Sequence, residues 1–166
     1  MTVISSITDA TKLTLVNVVE FDATPEQVWE VWENPRVLER WWGPPTFPAT
    51  FTRHEFAVNG QSRFYMTGPA GERPCGWWHI IDLDRPNRIE FSDGLAGVDG
   101  EPEPDEKPMH CVVTLEPFAG GTRMTVYVRF ATVDQMEKML EMGMREGMAQ
   151  ALGQIDALLD GDAVRR

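Results

Sequence analysis

Three histidines are the side chains of this sequence best suited to acid–base chemistry near neutral pH. His54, His79 and His110 all fall in segments with strand-like alternation. An imidazole inside a sheet can exchange a hydrogen bond with a polar atom of a bound molecule, and so can a buried carboxyl such as Glu55. The sequence therefore offers His79, His110 or Glu55 as an acid or base. The alternative is that each histidine is an ordinary hydrogen-bonded core or surface residue.

The sequence contains no recognisable motif for metal binding or for nucleophilic catalysis. A zinc site would have to gather side chains that are far apart in the chain, namely Cys75, His79, His110 and Cys111. There is no Gly-x-Ser-x-Gly elbow, phosphate-binding loop or dinucleotide fingerprint. We therefore expect no metal and no cofactor, and we assign no catalytic residue. The two cysteines do not make a disulfide framework and are expected to be free thiols.

Tryptophans occur in two adjacent pairs, Trp41-Trp42 before a Gly-Pro-Pro stop and Trp77-Trp78 inside a predicted strand. Neighbouring side chains point in different directions on helices and on strands. Each pair therefore places one ring in the core and sends the other elsewhere. We predict that the second ring lines or closes an apolar cavity, with Trp42 at its mouth. The sequence leaves open which of Trp77 and Trp78 faces inward.

Methionines crowd the last predicted helix, at positions 136, 139, 142, 144 and 148. Their flexible thioethers suit a cavity wall and equally suit an adaptable core. Gly143 and Gly147 lie among them, and a glycine inside a helix costs about 1 kcal/mol relative to alanine. Either close packing on the sheet or room for a ligand would justify that cost. The predicted ligand-binding residues are Trp42, Phe64, Trp77, Trp78, His79, His110, Met144 and Met148, with Asn17 and Arg63 as further orienting groups.

The elements that would position these side chains follow an α+β order. A strand at 12–21 leads into a first helix, which Thr24 caps, Pro25 suits in its first turn and Asn34-Pro35 ends. A second short helix is predicted at 36–42. Six further strands are predicted at 50–58, 61–67, 75–83, 88–93, 109–117 and 122–130.

The end of the chain carries helical periodicity over 133–159, which predicts one helix of about 40 Å. Tight turns are predicted at Asn59-Gly60 and at 118–121, each joining two strands into a hairpin. We expect a curved antiparallel sheet of about seven strands whose apolar face is covered by the last helix.

The composition indicates a globular chain with an acidic surface. Its 166 residues carry a formal charge of −11, which disfavours nucleic acids and anionic membrane surfaces as partners. No apolar run is long enough to insert into a membrane, and residues 1–12 lack the pattern of a secretory signal. We expect one domain over 1–166 with its core at about 12–160, a mobile acidic loop at 94–108, and a cytoplasmic location.

The segment 21–44 resembles the N-terminal signature of START-like (SRPBCC, helix-grip) proteins. It is most similar to the branch that includes the C-terminal domain of the activator of the 90-kilodalton heat-shock protein ATPase. The matching parts are Val28-Trp29, Asn34-Pro35 and residues 40–44. Weaker matches follow along the chain, at Val58-Asn59-Gly60, 68–71, 120–124 and Gly147-Met148. Val19, Ala57 and Met148 depart from the family pattern at positions that tend to face its cavity, so the resemblance leaves the ligand open.

The resemblance implies a seven-stranded sheet gripping the C-terminal helix around an apolar pocket. Members of the superfamily bind lipids, sterols, polyketides or hormones, some catalyse cyclisations or hydrolyses, and one subgroup stimulates a chaperone ATPase. Fold does not select among these roles. Our leading hypothesis is the binding of a small hydrophobic molecule. The alternatives are a co-chaperone that uses an outer surface to contact a chaperone, and a cyclase- or hydrolase-type enzyme. The sequence is compatible with a monomer or a homodimer.

Overall fold

The computed structural model describes residues 3–160 and is built on one eight-stranded antiparallel sheet. In chain order the strands are β1 (Val3–Asp9), β2 (Thr14–Phe21), β3 (Ala49–His54), β4 (Gln61–Met66), β5 (Cys75–Asp84), β6 (Arg88–Ala96), β7 (Met109–Phe118) and β8 (Gly121–Arg129). Across the sheet they are arranged β1-β2-β8-β7-β6-β5-β4-β3. The predicted domain bounds include residues 1, 2 and 161–166, which lie outside the described residues.

Helices occupy two places in the chain. Helices α1 (Pro25–Glu33) and α2 (Pro35–Leu38) follow β2, and helices α3 (Val133–Glu141), α4 (Met144–Leu152) and α5 (Ile155–Asp160) follow β8. The predicted α+β class, with short helices after the first long strand and a helical C-terminal segment, is confirmed. Within residues 3–160 no helix is both long and apolar enough to cross a bilayer.

Helix α1 begins with the predicted cap. The Thr24 hydroxyl accepts a hydrogen bond from the Gln27 backbone N–H (3.2 Å), and the Gln27 side chain accepts one from the Thr24 backbone N–H (2.9 Å). This reciprocal capping box satisfies two backbone donors that the first helical turn leaves free. Asn34 ends α1 and caps α2 by accepting from the Arg36 N–H (2.9 Å). Helix α2 is shorter than predicted, because the chain continues from Glu39 to Gly43 as turns.

Strand β1 was not predicted from the sequence. It is an edge strand that pairs with β2, and its apolar residues Ile4 and Ile7 are 51% and 61% exposed. It therefore has no buried alternating face, and alternation is the signal by which strands are recognised. The sheet has eight strands rather than about seven for this reason. Strand β6 also runs further than predicted, so that residues 94–96 of the expected loop are paired with β5.

Of the two predicted hairpin turns, the structure contains one as predicted and replaces the other by a longer loop. The turn between β7 and β8 is as expected, with Ala119 and Gly120 both at positive φ (51° and 83°), the geometry that suits strand twist. Between β3 and β4 the prediction of a two-residue Asn59-Gly60 turn is wrong, because residues 55–60 form a longer loop. In that loop Phe56 leaves the sheet and packs edge-on against Trp29, with ring centroids 5.5 Å apart.

The long C-terminal helix of the prediction is broken into three. Gly143 adopts a left-handed conformation (φ 88°) between α3 and α4, which an α-helix cannot continue through. A second interruption at 153–154 separates α4 from α5, where the Gln154 N–H bonds to Ala151 O in a tighter turn. The first break borders the cavity described next.

Candidate functional site

An apolar cavity of about 370 Å³ lies between the sheet and helices α3 and α4. Its volume is within the range of pockets that hold small organic molecules. The turn after α2 and strands β4, β5 and β6 supply one side, and the C-terminal helices supply the other. Its aromatic and methionine lining residues are Trp32, Trp41, Trp42, Phe47, Phe64, Met66, Met109, Met139, Met142, Met144 and Met148.

Both rings of the first tryptophan pair, Trp41 and Trp42, line the cavity, but only the Trp41 indole has a hydrogen-bond partner among the described residues. The Trp41 indole donates from Nε1 to the backbone oxygen of Val31 (2.8 Å) and is fully buried. Trp42 stands edge-on to Trp78 with centroids 4.8 Å apart, and its buried Nε1 has no hydrogen-bond partner among the described residues. An unpaired buried donor costs free energy, so the Trp42 indole lowers the stability of the fold at this position.

The methionine wall is positioned by α3 and α4. Met148 is held in place because the buried Asn17 amide of β2 donates from Nδ2 to its sulfur (3.1 Å). The neighbouring glycines leave space. A Cβ added at Gly147 would approach nothing closer than Pro44 Cγ, at 3.9 Å, and one at Gly143 would meet nothing within 4 Å. The geometry excludes close packing as the reason for either glycine. Gly143 is favoured by its positive φ, and a Cβ at Gly147 would have space.

Asp93 is the charged side chain of the cavity. It lies on β6 between Trp78 of β5 and Met109 of β7, and is 8% exposed. Burial raises the pKa of its carboxyl to about 7. The neighbouring Trp78 indole partly counteracts this effect, although its Nε1 does not reach full hydrogen-bonding geometry. Near neutral pH this group is therefore divided between its charged and neutral forms.

Sequence reasoning missed Asp93, although a signal for it exists. Ile89, Phe91 and Asp93 occupy alternate positions of β6, and Ile89 and Phe91 are almost completely buried. Strand alternation places the carboxyl on the same inner face. An acidic residue in phase with two large apolar neighbours is the pattern that would have identified it.

Four of the eight predicted ligand-binding residues line the cavity, namely Trp42, Phe64, Met144 and Met148. Trp78 lies on the inner face but behind the lining, fully buried against Trp42 and Phe91. Trp77 lies on the outer face, where its Nε1 donates to Leu95 O (3.1 Å). One ring of this pair therefore points inward and one outward, but neither lines the cavity.

His79 and His110, both predicted as ligand-binding residues, do not line the cavity. Both are out of phase with the buried residues Trp78 and Cys111 and lie half-buried on the outer face. His110 Nε2 contacts Glu90 Oε2 at 2.6 Å, and the His110 hydrogen bond lowers the pKa of the Glu90 carboxyl. Alternation fixes only which residues of one strand share a face, so the sequence did not determine the side of the sheet for either histidine.

The other predicted polar groups also lie away from the cavity. Glu55 is exposed, and its ion pair with Arg53 (2.8 Å) lowers the pKa of its carboxyl, so it is not a buried acid. His54 is fixed between Ser62 Oγ (2.8 Å) and Trp32 O (2.9 Å). Burial lowers the pKa of that imidazole. Arg63 donates to Gln61 Oε1 (2.9 Å) and does not reach the lining.

A match to a family model covers most of the chain. The model described as "Activator of Hsp90 ATPase homolog 1-like protein" matches residues 22–160. The chain belongs to this family. The family has a START-like, helix-grip fold that commonly binds hydrophobic ligands. The fold expected from the resemblance is therefore confirmed, with an eighth strand added at one edge.

Solved structures agree with the family assignment. The solution structure of a protein from Arthrobacter aurescens is 49% identical, with a TM-score of 0.91 over 96% of this chain and 92% of that one. The crystal structure of protein Ms6760 from Mycobacterium smegmatis is 38% identical, with a TM-score of 0.88 over 95% and 96% of the two chains. A protein from Silicibacter pomeroyi that carries the family name is 22% identical (TM-score 0.71, 89% and 97% covered) and supports the fold alone. No curated protein is significantly similar to the chain.

Proposed function

We propose that this protein binds a small hydrophobic molecule in the cavity between the sheet and helices α3 and α4. The observation that carries the proposal is an apolar space with a buried carboxyl in its wall. Among the described residues that line the cavity, none supplies a cation to Asp93. Pockets that bind organic ligands have this composition, in which apolar walls provide affinity and a few polar groups provide orientation.

The methionine-rich wall supports the same role. Met139, Met142 and Met144 line the cavity around the break at Gly143, and Met142 is 68% exposed. Thioether side chains adjust to ligand shape with little strain, and a break at glycine lets α3 and α4 shift relative to each other. A ligand can therefore enter beside Met142 without unfolding of the sheet.

The Gly147→Phe variant is expected to lose binding, because the ring would project from α4 into the cavity. The measurement is native mass spectrometry after incubation with an apolar cell extract, in which the wild-type chain should gain a defined mass. Gly147→Ala is the matched control. It should keep the bound mass and be more stable by about 0.5–1 kcal/mol, since alanine is the better helix former and its Cβ has space.

Two results would argue against the proposal. One is a wild-type chain that remains free of ligand throughout, and the other is retention of the bound mass by Gly147→Phe. The urea midpoint of each variant shows whether the fold is intact, so that a loss of binding through unfolding is recognised.

The alternative role, as an activator of a chaperone ATPase, comes from the description of the family model. It predicts that the purified chain raises the ATPase rate of a heat-shock protein of the 90-kilodalton class, and that Gly147→Phe does so equally because an outer surface is used. An unchanged rate at saturating concentration would remove this alternative.

A further inference from the structure

We propose that the ligand is a hydrophobic amine, whose ammonium group lies against the Asp93 carboxylate while its apolar body fills the space between the aromatic and methionine walls. This inference rests on the proposed function and goes beyond it by assigning the charge of the ligand. It is carried by the charges of the lining, by the aromatic rings beside the carboxyl and by the surroundings of Asp93.

The lining has a carboxylate but no cation. Among the lining side chains that the structure describes, Asp93 is the only acidic one, and none is Lys, Arg or His. A fatty acid or another anionic ligand would therefore bring a second negative charge into an apolar space with no partner, which is strongly unfavourable. An ammonium group would instead form a charge-assisted hydrogen bond with the carboxylate.

Aromatic rings surround the same space. Trp32, Trp41, Trp42, Phe47 and Phe64 all line the cavity, and Trp42 and Asp93 share Trp78 as a neighbour. The face of an aromatic ring attracts a cation, and the attraction is greatest at a tryptophan in a desolvated site. A carboxylate beside several rings is thus a favourable setting for an ammonium group and an unfavourable one for an anion.

Among the described residues that line the cavity or pair with Asp93 in the sheet, none carries a positive charge that could neutralise it. The residues that flank it are Trp78 from β5 and Met109 from β7, and the residues across the cavity on α3 and α4 are Met139, Met144 and Met148. The nearby titratable group is the Cys111 thiol, whose pKa is raised by burial and by the Asp93 charge. In the free protein burial favours the protonated form of the Asp93 carboxyl, and a bound ammonium would favour the ionised form.

The net charge of the chain also favours a cationic ligand over an anionic one. At −11 the protein attracts cations from solution and repels anions, so an amine reaches the cavity mouth more readily than a carboxylate of equal size. This general attraction is not specific for the cavity, however, and the experiment must separate it from an effect of Asp93.

The test uses three probes with one apolar body: naphthalen-2-ylmethanamine, naphthalen-2-ylmethanol and 2-naphthoate. Calorimetric titration of the wild-type protein at pH 8 should show the amine binding most tightly and the carboxylate least tightly. Asp93→Asn should weaken amine binding by about tenfold or more, the effect of losing one charged hydrogen bond, and change alcohol binding by less than about threefold. The matched control is Asp105→Asn, which removes the same charge from an exposed loop residue and should leave all three affinities unchanged.

A pH titration gives a second readout. The ionised fraction of Asp93 in the free protein falls from about nine-tenths at pH 8 to about one-tenth at pH 6, so amine binding should weaken about tenfold over that interval. The amine itself stays protonated throughout. Alcohol binding should change much less, and the pH dependence of amine binding should disappear in Asp93→Asn.

The outcomes separate the two proposals. If none of the three probes binds the wild-type chain, the ligand-binding function itself is contradicted, and the amine inference with it. If the alcohol binds as tightly as the amine, or if Asp93→Asn keeps the preference for the amine, the cavity remains a ligand site and the amine inference is overturned.

Discussion

Replacing Asp93 by asparagine is expected to make the protein more stable at pH 8, by about 2–4 kcal/mol in the free energy of unfolding. The carboxyl has a pKa of about 7 in the folded chain and about 4 when unfolded, because burial disfavours its charged form. Above pH 7 the folded chain must therefore hold a desolvated charge. Asparagine removes this cost, although its own amide is also buried, so the gain is smaller than the full linkage energy.

The sign of the pH dependence follows from the raised pKa. The protonated carboxyl contributes stability that is fully present below about pH 4 and is lost as the pH rises through about 7. Urea unfolding of both proteins at pH 5 and pH 8 should thus give a larger advantage for Asp93→Asn at pH 8. Other groups titrate alike in both proteins and cancel in the comparison. An advantage of equal size at the two pH values would show that burial of the charge is not its cause.

This prediction bears on function as well as on stability. The Asp93 carboxyl lowers the stability of the fold at neutral pH. Among the described residues that line the cavity, none supplies a cation that would offset this cost. Local features that oppose stability are expected where a protein binds or reacts. The variant is thus expected to gain stability and to lose amine binding, a combination that a purely structural residue would not give.

The second large effect is expected at Trp78. Its ring is fully buried and contacts other aromatic rings on every side, among them Trp42, with centroids 4.8 Å apart, and Phe91, with centroids 4.4 Å apart. Trp78→Ala should lower the free energy of unfolding by about 3–5 kcal/mol, since it removes a large buried ring and leaves a cavity behind the ligand site. Urea unfolding followed by circular dichroism measures the loss.

The matched control is its neighbour in the chain. Trp77 is half-buried on the outer face and has one hydrogen bond, from Nε1 to Leu95 O. Trp77→Ala should therefore cost only about 1–2 kcal/mol, from the lost hydrogen bond and a smaller area of contact. Equal losses at the two positions would contradict the inner and outer placement of this pair.

Much of the fold is determined by local signals in the sequence. The capping box of Thr24 and Gln27 begins α1 where it was predicted, because its hydrogen bonds lie within one helical turn. The turn at Ala119-Gly120 is equally local, since a tight hairpin depends on the conformation of its two central residues. The period-two patterns of β2 and β4 to β8 located those strands without knowledge of their partners. Family resemblance then implied that these strands form one sheet around the C-terminal helix, whereas their order in the sheet comes from the structure.

Tertiary structure decided what local patterns leave open. Alternation groups Trp78 with Ile80, and His79 with Trp77, but only packing against the helices determines which group is inside. That packing buries Trp78 and Ile80 and leaves His79 on the outer face. Strand β1 forms by pairing with β2 and has no buried face of its own.

The candidate site depended on tertiary structure even more strongly. Trp42, Met148 and Asp93 come from three separate segments of the chain and meet only when α3 and α4 cover the sheet. The break at Gly143 that leaves space between them is a backbone conformation, which the sequence permits but does not require. The sequence by itself therefore determined most of the strands, the start of α1 and the apolar character of the cavity wall. The cavity and the burial that shifts the pKa of Asp93 arise from contacts between distant segments, which no local pattern encodes.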